Sequence, residues 1–261
     1  MAMQETVSRA DEGMVGAAPL VELRGVSKHY GEVIALKDVD FALMPNEIHA
    51  MVGDNGSGKS TLIKIVSGAI QPSSGELYVE GQRVHFTQPK DALALGIATL
   101  YQDLALIETR NISQNLYLGR EPCRRFGWVD RQQMIRGAYE MIESIKQMNV
   151  TDIEAMVSDL SGGQRQAVAI GRAIHKGSKV LLLDEPAAAL GIREAHEVLN
   201  LILDLKAQGQ TIVIVAHNLA HVFRVADRIT VLRGGGRVGT VVKSDTNIDE
   251  VSKMIIGVAV L

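Results

Sequence analysis

Hydrophobic and polar positions along this chain repeat with two different periods, and the changes between them mark its layout. Leu20 to Gly25 alternates apolar and polar residues, the pattern of a half-buried strand. Lys28-His29-Tyr30-Gly31 reads as a polar turn, and Val33 to Leu36 and Val39 to Leu43 as two more short strands. Short strands joined by polar turns predict an antiparallel β layer. Glu47 to Val52 is strand-like, and Lys59 to Val66 is helix-like with Gly68 as its stop. Pro72-Ser73-Ser74-Gly75 is a turn, and Leu77 to Val79 and Val84 to Phe86 flank a second turn at Glu80-Gly81-Gln82. Lys90 to Leu95 is a short helix ending at Gly96, and Ile97 to Tyr101 is a buried strand that delivers Gln102 at its end.

From Gln102 to Ser158 the pattern becomes helical. Asn111 to Leu118 and Asp130 to Met148 are predicted helices, the second with Asp130 as N-cap. Its Met134, Ile135, Ala138, Met141, Ile142, Ile145 and Met148 fall on one face. Beyond this block, Arg165 to His175 is a helix, and Lys179 to Leu183 is a continuous apolar strand running into Asp184-Glu185-Pro186. Arg193 to Ala207 is an amphipathic helix. Thr211 to Ala216 is a second fully apolar strand, ending at His217. Asn218 to Val225 is helical, and Arg228 to Leu232 and Arg237 to Val242 form a glycine-turned pair. Apolar strands alternating with amphipathic helices imply a mostly parallel sheet covered on both faces. The expected fold is α/β: a phosphate-loop NTPase core with a mostly parallel sheet, an antiparallel β subdomain and an inserted α-helical subdomain. Residues 19–261 are expected to form one domain, with 19–101 and 159–261 as core and 102–158 as the helical insertion. Residues 1–18, small and polar, read as a disordered tail without the basic and apolar regions of a signal peptide.

Composition narrows the function. A net charge of −3 and an aromatic content of 4% argue against a nucleic-acid surface, which needs basic patches and stacking rings. One cysteine, Cys123, excludes an internal disulfide and fits a reducing compartment. No apolar run approaches 18 residues, so no segment reads as a membrane span.

The chemistry is concentrated in Gly53-Asp54-Asn55-Gly56-Ser57-Gly58-Lys59-Ser60, followed by Thr61. G-x-x-x-x-G-K-S between a strand and a helix is a phosphate cradle. The glycines let successive N–H groups turn inward on an anion, and the helix aims its positive end at the same point. Lys59 reaches the β- and γ-phosphates of ATP, and the Ser60 hydroxyl ligates Mg²⁺. In an open α/β sheet, ligands sit beyond the carboxyl ends of the strands. Three other apolar strands end there in suitable groups: Gln102, Asp184-Glu185 and His217. Asp184 suits Mg²⁺, Glu185 can take a proton from the attacking water, and His217 can hydrogen-bond the γ-phosphate. Gln102 is placed to touch Mg²⁺ or the water, and it stands at the hinge into the helical block. Tyr30, upstream of the cradle, suits either stacking on adenine or packing on its own sheet. Leu160-Ser161-Gly162-Gly163-Gln164 is a second glycine-rich anion site at a helix start. In a head-to-tail two-fold dimer, each nucleotide lies between the cradle of one copy and this pentad of the other.

Together these segments resemble the nucleotide-binding subunit of ATP-binding cassette (ABC) transporters, over residues 20–261. The resemblance rests on the cradle, Tyr101-Gln102-Asp103, the Leu160–Gln164 signature pentad, Asp184-Glu185-Pro186 and His217, in that order. It implies that Tyr30 stacks on adenine. It also implies that the helical block docks on a membrane-embedded permease, which places the chain peripherally on the cytoplasmic face of the inner membrane. A finer resemblance is to the ribose, xylose and fructose import branch. It rests on Gly53-Asp54-Asn55-Gly56, Tyr101 to Leu104, Asn115 to Glu121, Glu185 to Gly191 and His217-Asn218. That branch implies an extracytoplasmic sugar-binding protein as an indirect partner. The alternatives are a cassette of a non-sugar transporter and a soluble non-transport cassette ATPase. Three departures stand out. The chain has room for one cassette where many relatives carry two, Ala187 replaces the usual Thr, and Gly191 stands where cassettes in general have Asp.

Overall fold

The computed structural model describes residues 18–144, 152–174 and 177–258. The tail assigned to residues 1–18 therefore lies outside the described residues except for Ala18, as do Ile145, Met148 and His175.

A six-stranded sheet forms the centre, in the order β10-β9-β3-β8-β7-β6. β3 (Ile48–Val52), β6 (Ile97–Leu100), β7 (Val180–Asp184), β8 (Thr211–Val215) and β9 (Arg228–Arg233) run parallel, and β10 (Gly236–Val242) returns antiparallel to β9. β7 and β8 are apolar almost throughout because both faces are covered, whereas β3 and β9 also bury the polar His49, Arg228 and Thr230. Ile48, Ala50, Val52, Leu181, Leu183, Ile212 and Ile214 point into one core, while Met51, Leu182, Val213 and Val215 point into the other. Each fully buried Leu, Ile or Val in these layers contributes about 1.5–3 kcal/mol relative to exposure.

The second core is closed by α1 (Lys59–Val66) and a four-stranded antiparallel sheet, ordered β2-β1-β4-β5. Here the structure corrects the strand boundaries. β1 runs Val21–Tyr30, so Lys28-His29-Tyr30 is strand paired with β2, and the turn is Gly31-Glu32. The two short strands predicted after it are one, β2 (Val33–Leu43). Asp38 takes a left-handed φ of 49°, and the register slips between Val26 and Lys28, so bulges absorb the polar break without ending the strand. β4 (Ser74–Val79) and β5 (Gln82–Val84) form a hairpin, with Gln82 paired to Val79 and therefore in the strand. Glu80 and Gly81 both have positive φ, 50° and 75°, the signature of a tight two-residue hairpin turn.

The first core takes in the block that interrupts the α/β pattern. α2 (Pro89–Ala94) precedes β6, and α3 (Ile112–Leu116) and α4 (Arg131–Ser144) follow it. Met134, Ala138 and Ile142 of α4 are buried, and Ala138 and Ile142 join Ile112 and Leu116 in the core beneath the parallel sheet. Asp130 caps α4 by accepting from the Gln133 amide at 3.1 Å, and the Arg124 guanidinium at 2.7 Å helps hold its carboxyl down to about 2. The helices α5 (Gly162–Ala173), α6 (Ile192–Ala207) and α7 (Leu219–Val225) complete this face. A closing helix, α8 (Ile248–Ile256), is not among the elements predicted; Asn247 caps it, and Val251 and Met254 anchor it.

Candidate functional site

The parallel register brings the chemistry to one edge. Met51 and Asp184 both lie opposite Val215, and Leu100 opposite Leu183, so the loops after β3, β6, β7 and β8 leave the sheet side by side. Between them, Gly53, Asp54, Asn55, Glu185 and His217 line an open cleft of about 510 Å³ that reaches Leu219 and α8, a size that suits a small-molecule ligand.

Gly53 to Ser60 wraps the start of α1. Gly53 has φ 149°, and a Cβ there would lie 2.1 Å from the Leu232 carbonyl and 2.7 Å from Ser57 Oγ. Gly58 is the N-cap of α1 and offers no side-chain acceptor, which leaves the first amides of the helix for a ligand. Gly53→Ala must displace main chain in β9, so we expect a loss of about 1–3 kcal/mol. A thermal melt several degrees below wild type checks it, and an unchanged melt would refute the close approach.

Lys59 is buried, and its ammonium curls back on the loop, donating to the Gly53 carbonyl at 2.8 Å and the Asp54 carbonyl at 2.9 Å. Burial lowers its pKa, opposed by the carboxylates of Glu185, Asp184 and Asp54. Burial likewise raises the Asp184 carboxyl, reinforced by Glu185 beside it and opposed by a hydrogen bond from the Ser60 hydroxyl. Ser60 and Asp184 are thus already in contact. Glu185 sits at φ 53°, a left-handed conformation rare for Glu, with its amide bonded to the Val215 carbonyl at 2.9 Å. Its Oε1 lies 3.5 Å from His217 Nδ1. Strain of this kind persists where neighbouring structure over-determines it.

Not every predicted site residue meets the others in this cleft. Gln102 is exposed two residues past β6, at the correct edge, but does not line the cleft. Tyr30 ends β1 half-exposed, with the Lys28 ammonium 5.1 Å from its ring centroid. Thr61 lies within the first turn of α1. The pentad is at the start of α5, where Ser161 is the N-cap and accepts from the Gln164 amide at 3.3 Å. None of Leu160 to Gln164 lines the cradle's cleft. The two glycine-rich helix starts, at Gly58 and Ser161, are therefore separate places in the described structure.

Two supporting roles are not evident from the sequence. Asn218, next to His217, caps α7 by accepting from the Ala220 and His221 amides. Glu194 accepts from the Gly191 amide at 3.2 Å and the Gly163 amide at 3.4 Å, tying α6 to the pentad. The Gly191-to-Glu194 spacing of a capping box was the available signal.

Comparison with known proteins places this arrangement. The family model for ABC transporters matches residues 36–188. The fructose import ATP-binding protein FrcA of Rhizobium meliloti is 44% identical over 92% of this chain and 94% of its own. The xylose/arabinose import ATP-binding protein XylG of Sulfolobus acidocaldarius is 43% identical over 90% of this chain and 93% of its own. Ribose import ATP-binding protein RbsA 1 of Rubrobacter xylanophilus is 42% identical, and this chain spans 47% of it. Among solved structures, MJ1267, an ATP-binding cassette of an ABC transporter, superposes with a TM-score of 0.81 at 26% identity over 92% of this chain and 98% of that one. The dimeric post-hydrolysis state of the cassette MJ0796, bound to ADP and Pi, gives a TM-score of 0.71 at 26% identity over 85% and 98%. The chain belongs to the ABC transporter family, whose ATP-binding members hydrolyse ATP to drive transport.

Proposed function

We propose that two copies of this chain sandwich ATP and power import of a small sugar through a separate membrane permease. The observation that carries the reading is the pair of glycine-rich helix starts, Gly53–Ser60 and Ser161–Gln164, the second of which does not line the cleft of the first. A head-to-tail dimer closes each nucleotide between them.

In the proposed mechanism, ATP lies with its phosphates on the Gly53–Thr61 amides. Lys59 leaves the Gly53 and Asp54 carbonyls for the β- and γ-oxygens. Water attacks the γ-phosphorus in line as the bond to the bridging oxygen breaks, ADP leaves, and Glu185 takes the water's proton. The Ser161 hydroxyl and Gly163 amide of the partner copy, with Lys59, stabilise the charge on the transferring oxygens. His217, beside Glu185, hydrogen-bonds the γ-phosphate. Ser60 and Asp184, with Gln102, would hold Mg²⁺, which supplies charge neutralisation at the β- and γ-oxygens. The site suits it: the Ser60 hydroxyl and the Asp184 carboxyl are hard oxygen donors bonded to each other, and burial, reinforced by the neighbouring charge of Glu185, raises Asp184, a cost that a cation would relieve. The free face of Tyr30 takes the adenine.

Sugar as the cargo is supported by the fructose, xylose/arabinose and ribose import relatives. The permease, an extracytoplasmic sugar-binding protein and a peripheral position on the inner face of the membrane follow from the same reading. Among the described residues no helix is long and apolar enough to cross a membrane.

Complementation tests the shared site. Ser161→Arg and Lys59→Ala should each be inactive alone. Mixed in equal amounts they should recover about a quarter of wild-type turnover, since half the pairs hold one intact site of two. No recovery would sink the shared site. In vesicles carrying the permease, hydrolysis should rise with a sugar and its binding protein; a response confined to amino acids would reassign the cargo.

A further inference from the structure

The Glu194 carboxylate does more than cap its own helix. It lies on the first turn of α6, with Oε2 on the Gly191 amide at 3.2 Å and Oε1 on the Gly163 amide at 3.4 Å. The Gly162 amide and the Ser161 hydroxyl also bond it. A Cβ on Gly163 would lie only 3.2 Å from that of Glu194, so the two helix starts are in direct contact. The Gly191 amide foremost, with the other three donors, holds the Glu194 carboxyl below the usual range, so it is an anion at neutral pH.

Two of those donors, the Ser161 hydroxyl and the Gly163 amide, are the ones the paired-site mechanism assigns to the γ-phosphate of the nucleotide on the partner copy. A donor aimed at Glu194 is not aimed outward, and a carboxylate at this point repels an incoming phosphate. We infer that Glu194 is a positioning residue, an internal ligand of the Ser161–Gly163 anion site that the partner's γ-phosphate must displace. It thereby sets the ATP and protein concentrations at which two copies pair. The inference rests on the paired-site reading. The Gly191 bond gives the displaced carboxylate somewhere to stay, because Oε2 can keep that amide while Oε1 swings off Gly163.

The test is steady-state ATP hydrolysis by the full chain, titrated in ATP and in protein, for wild type, Glu194→Gln and Glu194→Ala. Gln keeps an oxygen for the Gly191 amide and removes the charge, so it guards against a folding defect in the Ala variant. Both variants should reach half-maximal rate at about fivefold lower ATP and protein, the factor for one charge at about 4 Å in water, with kcat within twofold of wild type. A purely structural role for Glu194 cannot improve half-saturation. Unchanged or higher half-saturation, or a tenfold fall in kcat that Gln restores, would overturn the inference while leaving the paired site intact. Wild-type turnover per molecule that is independent of protein concentration would overturn the paired site itself and the inference with it.

Discussion

Glu185→Gln is expected to lower ATP turnover by about 10²–10⁴-fold, the range for loss of a positioned general base, while leaving ATP binding intact. The amide has the shape of the carboxylate but cannot accept the water's proton. Its setting should survive the change, because the left-handed φ of 53° is held by the main-chain bond to Val215 and not by the carboxylate. Removing the charge should also ease closure, since Glu185 stands beside Asp184 at the point where γ-phosphate charge arrives. An ATP-bound dimer should therefore accumulate, seen as a shift in elution on gel filtration with ATP and its loss with ADP. Wild-type turnover in this variant would remove Glu185 from the role of base. Loss of binding as well as turnover would make it a structural residue.

Lys59→Ala is expected to cost about 10²–10³-fold in turnover, as removal of one preorganised charge donor does, and to weaken ATP binding along with it. The ammonium is buried against the loop it serves, on the Gly53 and Asp54 carbonyls. Burial lowers its pKa, and the carboxylates of Glu185, Asp184 and Asp54 oppose that shift. Alanine removes the cation and leaves three carboxylates facing a polyphosphate. Nucleotide titration by fluorescence or calorimetry checks the binding half of the expectation. Lys59→Arg should not rescue it, because the planar fork cannot occupy the narrow space between the two carbonyls. Near-normal affinity in Lys59→Ala would show that the backbone amides carry the binding without it.

The sequence made β7 and β8 legible because their buried runs, Leu181 to Leu183 and Ile212 to Val215, have no polar positions to confuse the period. The cradle was legible because its glycines are required by main-chain geometry, as the close approach of Gly53 to Leu232 illustrates. The antiparallel sheet was harder. Lys28, His29 and Tyr30 are polar enough to read as a turn, yet the bulged end of β1, an inner strand, tolerates them because they are only partly buried. The contact of Glu194 with the pentad lay beyond reach for a different reason. Its partners Ser161 to Gly163 are some thirty residues away in the chain, and only the packing of α5 on α6 brings them together. The separation of Tyr30 from the cleft is likewise a property of two sheets, not of a local pattern.

The order β3-β8-β7 has one more consequence. Neighbouring strands stand about 4.8 Å apart, so two steps of sheet set the cradle strand and the Asp184 strand about 10 Å apart. That interval is fixed by main-chain hydrogen bonds alone. It works as a ruler built into the backbone: side chains throughout the sheet can change without altering the gauge against which a triphosphate is measured.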